Sequence, residues 1–197
     1  MSIKILGGLA KGRSLFVLNS AHLRPTSVML RRKIFDSRQN LEGWIFVDLC
    51  AGSGAVGLEA LSRGAQQVFL IESHPKAFGI LKKNCKIVQD AGIAGDFDAI
   101  KLDALRFLDG FENIYLNFDK QMQERTILFF DPPYLKHALY KTFVEFILKK
   151  TWFKGEVWLE SDTQKGLTPE ELEDMGISRR KVFKQGTSYI YIVDIDA

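Results

Sequence analysis

Two stretches of this chain hold residue types whose spacing could do chemistry. The first, "FVDLCAGSGAVGLEAL" (Phe46–Leu61), places Gly52, Gly54 and Gly57 in the spacing G-x-G-x-x-G. Asp48 lies four residues before Gly52, inside an apolar run, and Glu72 follows twenty residues after Gly52. Glycines let a backbone turn sharply into a helix and approach a ligand closely. A carboxylate at Glu72 could accept hydrogen bonds from both hydroxyls of a ribose. These features alone suit a nicotinamide dinucleotide and S-adenosylmethionine equally. Asp48 separates the two: its charge would repel a pyrophosphate at the helix N-terminus, yet suits a cation. S-adenosylmethionine carries an ammonium and a sulfonium and has no phosphate. Asp103 could contact the adenine amino group, and could equally cap a helix starting at Ala104. In the same way Asp48 could serve only to anchor a backbone N–H, and Glu72 only to end a strand.

The second stretch is Asp131-Pro132-Pro133-Tyr134, directly after "TILFF". Read as a turn, it is a strand stop. Read as chemistry, two prolines without N–H groups hold the chain extended and leave the Pro132 carbonyl to face a cleft beside the Asp131 carboxylate. Two acceptors with an aromatic ring behind them match the exocyclic amine of a nucleobase. Its lone pair is delocalised into the ring, and acceptors on both hydrogens favour a pyramidal nitrogen whose lone pair can be aimed at a methyl donor. Tyr134 could stack on the base and hold it out of its helix. Alignment and electrostatics would then supply most of the rate, without a strong general base.

These groups need a frame, and the rest of the chain reads as one. Its 197 residues suffice for one well-buried domain and are tight for two. Hydrophobic residues make up 46% and charged residues 26%, the balance of an ordinary globular protein. No signal-peptide pattern or membrane-length apolar run is present, Cys50 and Cys85 have no metal-ligand spacing, and a reducing cytoplasm is the expected compartment. From Trp44 the pattern is strand, glycine turn, helix, repeated. Strands are expected at 45–50, 67–71, 99–102, 127–131 and 157–161, and helices at 55–63, 75–90, 137–150 and from Thr168. A closing hairpin pairs 178–183 with 189–194. This alternation implies a mostly parallel sheet with helices on both faces. Residues 111–125 fit neither period and read as an irregular insertion. Ahead of the sheet, 3–6 and 14–18 form a small hairpin, and Pro25-Thr26-Ser27 caps a basic helix over 28–39. Residues 1–38 carry eight basic side chains against one acid, a net +7 in a chain whose total is +3. That asymmetry fits a nucleic-acid surface and a merely solvated basic arm about equally.

The residues then show a resemblance. "DPPY" resembles the fourth motif of the Asp/Asn-Pro-Pro-aromatic amino-methyltransferases, and "VDLCAGSGAVGLEALSRGA" looks like their first motif. "GGLAKGR" (7–13), "LRPT" (23–26), "LES" (159–161) and the closing hairpin are similar more narrowly to the bacterial 16S rRNA guanine-N2 methyltransferase family, RsmD. The resemblance implies a class I S-adenosylmethionine-dependent methyltransferase sheet of Rossmann-like α/β type, with a small N-terminal β-hairpin extension and a C-terminal antiparallel hairpin. It divides the chain into an RNA-contacting segment, 1–42, and a methyltransferase domain, 43–197. Asp48, Gly52, Gly54, Glu72 and Asp103 would line the S-adenosylmethionine site, and Asp131, Pro132 and Tyr134 would hold the target guanine, by resemblance guanine 966 of the small subunit. Lys11, Arg13, Arg24, Arg31 and Arg32 would contact RNA. The implied partner is 16S rRNA or the small ribosomal subunit; a monomer, no metal and no membrane are expected. The family's Asp-Arg pair after "RPT" is replaced here by Val28-Met29, and its following Glu by Arg32. Competing readings are N6-methylation of adenine in DNA or RNA, and a non-catalytic RNA-binding assembly module. A dehydrogenase would leave Asp48 and "DPPY" unexplained.

Overall fold

The computed structural model describes residues 2–18, 27–133 and 137–194. Two short strands, β1 (Ser2–Lys4) and β2 (Ser14–Phe16), pair antiparallel with Ile3 opposite Leu15. Helix α1 (Val28–Ser37) follows, capped by the Ser27 side chain, which accepts the Leu30 N–H at 3.0 Å. Strands and helices then alternate: β3 (Ile45–Asp48), α2 (Gly57–Ser62), β4 (Gln67–Ile71), α3 (Pro75–Gln89), β5 (Asp96–Ile100), α4 (Ala104–Leu116), α5 (Lys120–Glu124), β6 (Thr126–Phe130), α6 (His137–Lys149), β7 (Glu156–Asp162) and α7 (Pro169–Asp174). The hairpin of β8 (Lys181–Gln185) and β9 (Ser188–Asp194) closes the chain.

The larger sheet runs β5-β4-β3-β6-β7-β9-β8. Its first five strands are parallel, and β9 pairs antiparallel with both β7 and β8. Strands β3, β6 and β7 are buried on both faces, as a sheet covered by crossover helices requires. Phe46, Phe129 and Trp158 belong to the core on one face, and Val47, Leu128 and Phe130 to the core on the other. Chain order reverses at β3, which lies between β4 and β6. In open α/β sheets, ligands gather at the carboxyl ends of the strands flanking that switch point. Those ends carry Asp48 and, one residue past β6, Asp131.

Several stretches differ from the sequence reading; the first strand of the closing hairpin, for example, starts at Lys181 rather than at 178. Residues 111–125 are mostly helical: α4 runs on to Leu116, and α5 starts from Asp119, which caps it by accepting the Met122 N–H at 2.8 Å. The buried side of α4 is Phe107, Leu108, Phe111 and Tyr115, a helical stripe that straddles residue 111. Strand β5 begins at Asp96, three residues before the expected start. It is an edge strand, so Asp96 and Asp98 alternate outward along it and dilute its apolar signal.

Arg31, expected on an RNA-facing surface, is buried with 0% exposure. It shares the inward stripe of α1 with Leu30, Ile34 and Phe35, so the helix turns it away from solvent. Its Nη1 donates to the Ala55 carbonyl at 3.1 Å and its Nη2 to the Lys4 carbonyl at 2.6 Å. Arg31 therefore ties the N-terminal hairpin to the glycine loop. Arg31→Ala should cost about 2–4 kcal/mol of stability, because it opens a cavity and strands two buried carbonyls. Exposed Arg32→Ala should stay within about 0.5 kcal/mol of the parent. Urea denaturation compares the two, and equal midpoints would contradict the structural role.

Candidate active site

The glycine loop is shaped by two left-handed residues, Gly52 (φ +55°) and Gly54 (φ +82°). A β-carbon on Gly54 would lie 2.6 Å from Leu81 and 2.9 Å from Leu58, so that glycine lets α2 and α3 close against the loop. At Gly52 the nearest atom to an added β-carbon is the Cys50 carbonyl oxygen at 4.0 Å, which leaves room for a ligand against the backbone. Gly57, the third glycine of the fingerprint, was not among the expected site residues. A β-carbon there would meet Leu70 at 2.4 Å and the Asp48 carboxylate at 3.2 Å. Its bareness lets the first turn of α2 approach Asp48, and its place in the G-x-G-x-x-G spacing was the signal for it.

Asp48 ends β3 with 1% exposure. Its Oδ2 accepts the Gly57 N–H at 3.0 Å, the anchoring role foreseen as the plain alternative. Oδ1 has no hydrogen-bond partner among the described residues. Burial pushes this carboxyl up to about 7; the Gly57 N–H and, more weakly, the Cys50 backbone pull it back, and the charges of Asp131 and Glu72 add to the rise. A buried, half-satisfied carboxylate next to two others is a place for a cation. The neighbouring Cys50 thiol is pushed well up by burial and then by the same acids, and so stays protonated.

Glu72, one residue past β4, braces the loop. Its Oε2 accepts the Gly52 N–H at 2.8 Å and its Oε1 the His74 N–H at 2.6 Å. Each oxygen keeps a second lone pair, so the expected ribose contact would use what these two bonds leave. Asp103 caps α4: its Oδ1 accepts from Leu105 N at 3.0 Å and Arg106 N at 3.3 Å, and it is exposed. The structure thus gives Asp103 the capping role. Asn84, which the sequence did not single out, is buried with 0% exposure and donates to the carbonyls of Ser53 in the loop and Phe16 in β2, each at 2.8 Å.

Beyond β6, Asp131 is half-buried and Pro132 buried. The Pro132 carbonyl, expected to face a cleft unengaged, receives the Tyr140 hydroxyl at 3.3 Å and retains one lone pair. Tyr134 and Arg24 lie outside the described residues, as does the Pro25-Thr26 part of the expected α1 cap. Of the other basic candidates, Lys11, Arg13 and Arg32 are exposed and Arg31 is not. The structure therefore gathers Asp48, Gly52, Gly54, Glu72, Asp131 and Pro132 at one end of the sheet, and sets three cations on the N-terminal segment.

Comparison with known proteins identifies the family and the fold. The family described as Conserved hypothetical protein 95 matches residues 3–192. The ribosomal RNA small subunit methyltransferase D of Escherichia coli strain K12 is 30% identical, with 96% of this chain and 89% of that protein covered. The solved structure of the putative methyltransferase yhhF from Escherichia coli superposes with a TM-score of 0.73 at 26% identity, covering 98% of each chain. An RNA methyltransferase from Salinibacter ruber, solved in complex with S-adenosyl-L-homocysteine, shares the fold at 14% identity with a TM-score of 0.52, over 87% of this chain and 94% of that one. The fold is that of class I methyltransferases, and the chain belongs to the Conserved hypothetical protein 95 family, the family of ribosomal RNA small subunit methyltransferase D.

Proposed function

We propose that this chain uses S-adenosylmethionine to methylate the exocyclic N2 of a guanine in 16S ribosomal RNA. One observation carries the reading: the half-satisfied Asp48 carboxylate and the Asp-Pro-Pro turn end adjacent strands at the switch point, beside a glycine loop with open space over Gly52. Family membership, and the name carried by the Escherichia coli relative, supply the nucleic acid.

The residues present fit the cofactor. Asp48 Oδ1 offers a buried negative partner for its ammonium, Gly52 and Gly54 admit it against bare backbone, and Glu72 keeps two lone pairs for hydroxyls. When bound, S-adenosylmethionine supplies an electrophilic methyl on a sulfonium sulfur. The chain's own work concerns the base. The Asp131 carboxylate and the remaining Pro132 lone pair accept the two amine hydrogens, favouring a pyramidal nitrogen and fixing the direction of its lone pair. The stacking role expected of Tyr134 concerns a residue outside the described ones. The nitrogen that gains a methyl gives up one proton, to Asp131 or to water.

Incubation with labelled S-adenosylmethionine and either 16S rRNA or small subunits from a host lacking the gene tests this, with nucleosides identified after digestion. N2-methylguanosine at a single position is the expected product. N6-methyladenosine would replace the reading with adenine methylation, and no transfer to any nucleic acid would leave a binding module.

The exposed cations carry a second expectation. Charge reversal at Lys11, Arg13 and Arg32 together should weaken RNA binding and make its salt dependence shallower by about 0.7–0.9 in log–log slope per lost phosphate contact. Filter binding between low and moderate salt reads the slope; an unchanged slope removes this segment from the interface.

A further inference from the structure

We infer that Tyr140 is a positioning residue for the base-binding turn, an inference that rests on the function proposed above. Its hydroxyl lies 3.3 Å from the Pro132 carbonyl and 3.0 Å from the Glu160 carbonyl. Those two carbonyls sit where the parallel ladder between β6 and β7 gives out: Phe130 opposite Leu159 is its last pair. Pro132 and Pro133 have no N–H groups, so the chain leaving β6 has no donor with which to extend the ladder. Tyr140, on the first turn of α6, supplies one from outside. Its ring is buried with 0% exposure and stands edge-on to Phe130, centroids 5.8 Å apart at 81°, while Phe130 stacks on Phe143 at 4.0 Å. The buried ring, packed edge-on against Phe130, has little freedom, so its oxygen is a fixed point against which the Pro132 carbonyl is set.

The consequence is geometric. A carbonyl has two lone pairs roughly in its plane, and occupying one orients the other. By taking one lone pair of Pro132, Tyr140 fixes the direction of the lone pair left for the target amine. The hydroxyl's proton lies between the two carbonyls, so its contact ties the Pro132 carbonyl to that of Glu160 across the end of the ladder and sets the direction of the remaining Pro132 lone pair. Tyr140 touches neither base nor cofactor in this scheme; it acts through Pro132.

The test compares Tyr140→Phe with Tyr189→Phe. The second variant removes another fully buried tyrosine hydroxyl that donates to a backbone carbonyl, that of Leu167, away from the Asp-Pro-Pro turn. Both keep their rings and both should show a similar small fall in Tm. Tyr140→Phe should lower kcat about 10- to 100-fold, with KM for the RNA and the Kd for S-adenosylhomocysteine within about twofold of the parent. Tyr189→Phe should leave kcat unchanged. Equal kcat in the two variants, with the parent active on 16S rRNA, overturns this inference alone. A fall in kcat matched by an equal loss of S-adenosylhomocysteine affinity also overturns it, since that outcome marks general support of the fold. A parent that transfers no methyl to rRNA or small subunits overturns both the inference and the proposed function.

Discussion

Asp131→Ala should abolish methyl transfer, with a loss of about 10³-fold or more in single-turnover rate, while the affinity for S-adenosylhomocysteine stays within about threefold. The asymmetry follows from where Asp131 sits. It is outside the glycine loop, one residue past β6, and the backbone that cradles a cofactor is braced by Glu72, Asn84 and Arg31 instead. Under the proposed function, what the alanine removes is one of two acceptors on the target amine, an interaction that would tighten as the nitrogen becomes pyramidal. Asp131→Asn, which keeps one acceptor oxygen in place, should lose less, about 10- to 100-fold. Isothermal titration alongside quenched-flow transfer separates binding from chemistry. A parallel fall in both for the alanine variant would show that Asp131 supports the fold.

The second large effect is a pH dependence centred on Asp48. Its carboxyl is raised from an ordinary 3.8 to about 7, so in the free protein the protonated form is the favoured one. An acid raised on folding costs stability as pH climbs: the free protein should be most stable below about pH 4 as far as this group is concerned, lose that contribution through the window up to about 7, and level off above it. Cofactor binding runs the other way. A cationic ammonium needs the carboxylate, so affinity for S-adenosylhomocysteine should fall about tenfold for each unit of pH below 7 and flatten above. The thermal shift on adding S-adenosylhomocysteine should therefore widen between pH 5.5 and 7.5. Asp48→Asn should weaken binding at pH 7.5 and remove the slope. A flat affinity across that range in the parent would remove Asp48 as the partner of the cation.

Much of this was legible before the fold was known, and the parts that were not have physical reasons. The strands of the central sheet announced themselves because β3 and β6 are buried on both faces and read as nearly unbroken apolar runs, while β7, equally buried, shows only Val157–Leu159 as its apolar stretch. The edge strand β5 did not, since Asp96 and Asp98 sit on its open side. The apolar stripe of α4, Phe107, Leu108, Phe111 and Tyr115, straddles residue 111, so the stretch 111–125 taken by itself shows too little of it to read as a helix. Arg31 is the most instructive miss. Residue type said surface, but its position in the 30, 31, 34, 35 stripe said core, and position decided. Glu72 reads as a partner for ribose hydroxyls or as a strand end; its bond to the Gly52 N–H, which braces the glycine loop, joins residues twenty apart and left no local trace. Asn84 bridges residues 31 and 68 positions away, and no sequence pattern encodes such a contact.

The N-terminal hairpin is joined to the rest at more points than Arg31 alone. Buried Glu59 accepts the Leu6 N–H at 2.7 Å, Ser62 holds both Gly7 and Ala10, and a β-carbon on Gly8 would fall 1.7 Å from the Ser62 carbonyl oxygen. Ile3, Ile5 and Leu15 share one hydrophobic core with Phe46 and Phe129. The boundary near residue 42 is therefore no seam along which the molecule could be cut. Anyone transplanting this front end onto another methyltransferase would have to carry α1, α2 and α3 with it as a single block, and the segment proposed to touch a nucleic acid would travel with the loop proposed to cradle the methyl donor.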